Sequence, residues 1–168
     1  MKRFLLFFLF IFLCIPVNAQ VITGEIEYNN EFQQIEKLSF DELRSRFYDN
    51  NNTENLNYLL QGITELKDRK LAKFSDGSYA VQYYNDPLFA WYYSSGGKLI
   101  NYTKKNSTDY PCKFTKFKPD GNIVNTGYRV SERESFIYNP EGRLIAHWVD
   151  NNCYDENNNL VMTRKIMK

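Results

Sequence analysis

The sequence holds a single histidine, His147, only three cysteines, and no excess of either charge, with 21 Lys and Arg against 20 Asp and Glu. Each shortage removes a class of function. A zinc site needs several close nitrogen or sulfur ligands, and one histidine with widely spaced cysteines does not supply them. Nucleic-acid binding calls for a basic excess gathered into a stripe, and the balanced charge offers neither. No glycine-rich loop of the kind that cradles phosphate is present. The longest apolar run, Phe4 to Pro16, is about 13 residues, short of the roughly 18 to 20 that span a bilayer. A permanent membrane span is therefore not expected, nor is a nucleic-acid partner, a metal or a cofactor.

That apolar run follows Lys2 and Arg3 and leads into Val17, Asn18 and Ala19, the order of a secretory signal peptide cut before Gln20. Residues 1–19 are thus expected to be removed, leaving 20–168 as one secreted or periplasmic domain. Loss of Lys2 and Arg3 lowers Lys and Arg from 21 to 19 against 20 acids, a net charge of −1. Phe12 and Leu13 precede Cys14 where a lipoprotein cysteine would want small residues. The two cysteines left, Cys112 and Cys153, lie in a chain bound for an oxidising compartment, so a disulfide is the default expectation and unpaired buried thiols the alternative. In a flat meander they would stand four strands, roughly 19 Å, apart, so pairing requires the sheet to curl.

The nearest approaches to catalytic or metal chemistry fail on their context. His147 and Asp150 belong to no nucleophile motif, and a strand histidine beside Trp148 reads as structural. Asp155, Asn157 and Asn159 have the alternate spacing of a calcium loop, but Leu160 stands where its glycine belongs and Ile166 where its bidentate acid belongs. No enzyme is expected.

What the chain does have is a signature repeated four times: an aromatic, three residues, Gly or Asn, one polar residue and two aliphatics. The copies are Tyr93 to Ile100, Phe117 to Val124, Tyr138 to Ile145 and Tyr154 to Val161, with 24, 21 and 16 residues between successive aromatics. Gly97, Gly121, Gly142 and Asn158 stand where a tight turn needs a residue tolerant of positive φ, so each copy predicts a β-hairpin. Lys70 to Tyr84, with Asp76-Gly77 at its centre, reads as a degenerate leading copy. On strict alternation the aromatic meets the first aliphatic on one face, and the second aliphatics, Ile100, Val124, Ile145 and Val161, form a row on the other. That second row is expected to lie under helices or to meet a partner, with the helices favoured.

The helices are predicted in the N-terminal part, residues 20–65. Ser39 and Glu42 make a capping box ahead of Phe40, Leu43 and Phe47, giving a helix over about 40–48. Leu56, Leu59, Leu60 and Ile63 repeat at helical spacing in a second helix that Gly62 ends. Val21 to Tyr28 alternates as a strand would. The fold class is α+β, mainly β: an antiparallel meander of tandem β-hairpins over residues 66–168 with two short N-terminal helices.

The repeated units, over about residues 70–166, resemble the MORN-variant hairpin repeats of bacterial secreted proteins, and Tyr154 to Leu160 resembles the YD repeats of bacterial shell proteins. Ala90 to Gly97 is similar to the cell-wall-binding repeats that build aromatic cages. The resemblance implies a non-catalytic bacterial envelope protein that binds a protein partner through Ile100, Val124, Ile145 and Val161. The alternative it implies is a carbohydrate-binding module using Trp91, Tyr92 and Tyr93, whose aromatic faces can stack on a glycan.

Overall fold

Ser39 accepts a hydrogen bond from the Glu42 amide through Oγ (3.3 Å), and the Glu42 carboxylate returns to the Ser39 amide (2.9 Å), so the expected capping box starts the first helix. The computed structural model describes residues 35–47 and 52–165; the signal peptide expected over 1–19 and the strand expected over Val21 to Tyr28 lie outside them. Helix α1 spans Phe40–Phe47 and α2 spans Asn52–Leu60. The chain turns away at Gly62, whose φ is +79°, a conformation glycine adopts without steric cost.

Ten antiparallel strands follow: β1 (Arg69–Phe74), β2 (Tyr79–Tyr83), β3 (Phe89–Tyr93), β4 (Leu99–Lys105), β5 (Cys112–Phe117), β6 (Ile123–Arg129), β7 (Glu134–Tyr138), β8 (Leu144–Val149), β9 (Asn152–Asp155) and β10 (Leu160–Lys165). Each pairs with the next, and β10 returns to β1 through Lys73 opposite Lys165 and Phe74 opposite Arg164. The meander is therefore a closed barrel, which removes both sheet edges.

Five of the hairpins share one turn. In each, the residue at the fourth turn position has positive φ: Gly77 (84°), Gly97 (79°), Gly121 (84°), Gly142 (86°) and Asn158 (64°). Its amide donates to the carbonyl three residues back, as Gly142 does to Asn139 (3.0 Å). The residue that opens the turn closes it with a second bond, as Asn139 donates to Arg143 (2.9 Å). This is a type I turn completed by a left-handed residue. All five stand at one end of the barrel, and the other end carries the remaining connections, which range from the two residues Asp150 and Asn151 to the six between β4 and β5.

Strict alternation is broken just past four of these turns. Register shifts fall where Ile100, Val124, Ile145 and Val161 would pair, so each second aliphatic is the extra residue of a β-bulge. The first hairpin has no shift, and Lys73 stands opposite Tyr79 where the other four place an aromatic opposite an aliphatic.

The helices cover the outside of the barrel. Leu38, Leu43 and Leu59 join Leu71, Tyr79, Val81, Trp91, Tyr93, Leu99, Tyr102 and Phe117 in one buried cluster. The expectation that the helices would cover the second aliphatic row is thus corrected: they cover the opposite face, where Tyr93, Leu99 and Phe117 of the leading repeats lie. Arg69 fastens α2 to β1, its Nε donating to Asn55 Oδ1 (2.8 Å) and its Nη2 to Glu54 Oε2 (2.8 Å). Arg46 of α1 pairs with Asp86 and lies over the Phe89 ring.

Candidate functional site

Closing ten strands leaves more room inside than the side chains of a smaller barrel would fill. The lumen holds a cavity of about 430 Å³ lined by residues from every strand, among them Phe74, Gln82, Tyr92, Thr103, Phe114, Asn125, Ile137, Trp148, Cys153 and Arg164. Ile100, Ile145 and Val161 also line it, and since Ile100 is 39% and Val161 55% exposed, the cavity reaches solvent at the tight-turn end.

Rings meet across the lumen that the strand order alone would keep apart. Phe74 of β1 stacks on Tyr92 of β3 with centroids 6.1 Å apart, and stands 6.1 Å from Trp148 of β8. Only a concave face can bring such side chains into contact.

Four cations share this lining: Lys105, Lys116, Arg129 and Arg164. Lys116 Nζ stands 4.0 Å from the Tyr92 centroid, and the Arg164 guanidinium carbon 4.7 Å from that of Trp148, both in cation–π range. Arg164 also donates to the Asp150 carbonyl through Nη2 (2.8 Å) and Nε (3.2 Å). Arg129 Nη2 donates to the Glu132 carbonyl (3.3 Å). Among the described residues, none of the four forms an ion pair with a carboxylate. The one acid on the lining, Asp76, is occupied in its own turn, accepting from the amide and hydroxyl of Ser78.

The electrostatics follow from that imbalance. Burial, and then the neighbouring Arg129, push Lys105 below the usual lysine range. The same two causes in the same order lower Arg164. Burial pushes the Cys112 and Cys153 thiols up, although Lys105 and Arg129 pull against it at Cys112, and Arg164 and Lys116 at Cys153. Asn125 Oδ1, on the same lining, is buried without a hydrogen-bond partner among the described residues.

The residues singled out from sequence are dispersed by this geometry. Trp91 and Tyr93 are 4% and 5% exposed in the outer cluster, so they offer no face to a sugar, and Tyr92 alone of that triplet enters the lumen. Ile100, Ile145 and Val161 stand at the lumen mouth, while Val124 is half-buried. Cys112 and Cys153 are both free thiols, which corrects the expected disulfide: the sheet curls, yet β5 and β9 remain four strands apart around the wall. His147 lies outside, stacked on Phe136 (4.3 Å) with Nε2 3.0 Å from Glu134 Oε1 rather than beside Asp150. Asp155, from the calcium-like spacing, accepts from the Asn159 side-chain amide (3.0 Å) and from the backbone amides of Asn159 (2.8 Å) and Asn157 (2.9 Å), bonds that hold its carboxyl below the usual range and cap the fifth turn.

The lumen cations were missed because no motif marks them. Their signal is positional: Lys105, Lys116, Arg129 and Arg164 each sit on the strand face opposite the outer aromatic row. Alternation separates two faces, but only closure says which is concave.

Against known proteins, the chain matches no family model, no curated protein and no solved structure. No helix among the described residues is long and apolar enough to cross a membrane.

Proposed function

We propose that this is a non-catalytic binding protein of the bacterial cell envelope, and that its binding site is the lumen of the barrel. The observation that carries the reading is the cavity of about 430 Å³, onto which Phe74, Tyr92 and Trp148 converge from separated strands. Its size falls in the range of pockets that bury most of a small organic molecule, and an apolar lining with a few placed polar groups is what such sites use. The leader at residues 1–19 and the resemblance to secreted hairpin repeats support the envelope location.

A second reading, a protein partner, has one observation of its own. Ile100, Ile123, Leu160 and Val161 are between 39% and 55% exposed and all follow tight turns, so they gather apolar surface at one end of the barrel. The cavity favours the first reading because it is lined from all ten strands, whereas the apolar rim is confined to the mouth.

The test uses the neutral fluorescent probe N-phenylnaphthylamine, titrated into the purified protein. Saturable binding that Ala146→Trp abolishes is expected, since Ala146 lines the cavity and an indole there would fill it. Ile137→Trp, from the neighbouring strand, is the second blocking variant if the first does not fold. Absence of binding, or binding that survives both blocking substitutions, would overturn the lumen as the site.

A further inference from the structure

The barrel sorts charge in a way its composition does not require. The whole chain has 21 basic and 20 acidic side chains, yet the cavity lining has four bases and a single acid that its own turn already occupies. A lining drawn evenly from the sequence would carry both signs in similar number. Several arginines outside the lumen are paired: Arg69 with Glu54 and Asp68, Arg46 with Asp86, Arg143 with Glu156. Among the described residues, the four cations gathered on the concave wall form no ion pair with a carboxylate.

Such an arrangement opposes folding. Arg129 stands close enough to Lys105 and to Arg164 to lower the proton affinity of both, on top of the cost of their burial. Like charges drawn together in a partly dry cavity are held by the surrounding fold, and a negative ligand is the partner that would relieve them. The aromatic faces of Tyr92 and Trp148 partly solvate Lys116 and Arg164, but a ring quadrupole does not neutralise a charge. Guanidinium groups also present paired N–H donors that match the oxygens of an acidic group.

We propose, on the reading that the lumen is a ligand site, that its ligand is an amphipathic organic anion: an apolar or aromatic body against Phe74, Tyr92 and Trp148, and an acidic group held by Lys105, Arg129 and Arg164. A carboxylate, phosphate or sulfonate has the required chemistry. A neutral glycan leaves these cations without a partner and is disfavoured.

The experiment compares two probes with the same ring system, anilinonaphthalene sulfonate and the neutral N-phenylnaphthylamine, on the full-length protein. The sulfonate is expected to bind about tenfold tighter or better, the factor one charge-assisted hydrogen bond supplies. Arg129→Gln is expected to lower its affinity about tenfold and leave the neutral probe unchanged. Lys105→Met is the second variant should Arg129→Gln fail to fold. Because the sulfonate dye also adheres to loosely packed protein, its binding must vanish in Ala146→Trp. If both probes bind equally, or the neutral one tighter, the lumen stands as a site and the anion is overturned. If neither binds, the lumen reading fails and takes this inference with it. Sulfonate affinity unchanged in both charge variants would also overturn it.

Discussion

The tip of the Phe114 ring covers Gly127, its partner in register across β5 and β6, so closely that a Cβ on the glycine would fall 2.0 Å from Phe114 Cζ. Glycine in a strand interior gives up packing, and here the ring of the neighbouring strand fills the place of the missing side chain. The pairing keeps Phe114 against the wall and the centre of the lumen open. Gly127→Ala is therefore expected to push the ring into the cavity and to destabilise by about 1 to 3 kcal/mol. A urea midpoint equal to the parent's would show that the ring has somewhere else to go.

How far such a site is legible in the sequence depends on how local its causes are. Ser39 and Glu42 sit three residues apart and cap α1 as their types require, and Gly97, Gly121, Gly142 and Asn158 set their turns within five residues. The bulges at Ile100, Val124, Ile145 and Val161 are a different case, because a doubled aliphatic fits strict alternation as well as it fits an extra residue. Closure is less local still: whether β10 meets β1 depends on twist summed over ten strands. Until that is known, the face of Lys116 and Arg164 reads as an ordinary solvated one.

Tyr79 is fully buried, stacked on Tyr93 at 5.1 Å, and its hydroxyl has no hydrogen-bond partner among the described residues. Tyr79→Phe keeps the stack and removes the orphaned group, so stability is expected to rise by about 1 kcal/mol at neutral pH. Burial, then Tyr83, push the phenol from 10.0 up to about 12. Across that interval the folded chain keeps a proton that the unfolded chain has lost, so this part of the stability is complete below pH 10 and declines as pH rises towards 12. Denaturation midpoints of parent and variant should diverge over that interval, the variant falling less. Parallel alkaline limbs would remove Tyr79 as the cause.

Gly142 has φ +86° and Asn158, at the equivalent place in the last hairpin, has φ +64°. Asparagine tolerates this region far better than a β-branched residue. Gly142→Val is accordingly expected to cost about 1 to 3 kcal/mol, and Gly142→Asn distinctly less. Thermal melts of the two variants side by side give the ranking. Equal losses would mean that backbone strain is not what selects glycine here.

Cys112 and Cys153 are 1% and 5% exposed, and burial raises both thiols although lumen cations pull the other way. The thiolate is the reacting species, so the folded protein should hold less of it at neutral pH than a free cysteine does. Iodoacetamide, read by peptide mapping at these two positions, is expected to label both slowly in buffer and rapidly in urea, without added reductant. Rapid labelling of the native protein would mean that the lumen admits solvent more freely than the burial of these thiols implies. Labelling in urea only after reduction would mean that the two thiols pair, which β5 and β9 permit only if the barrel wall between them gives way.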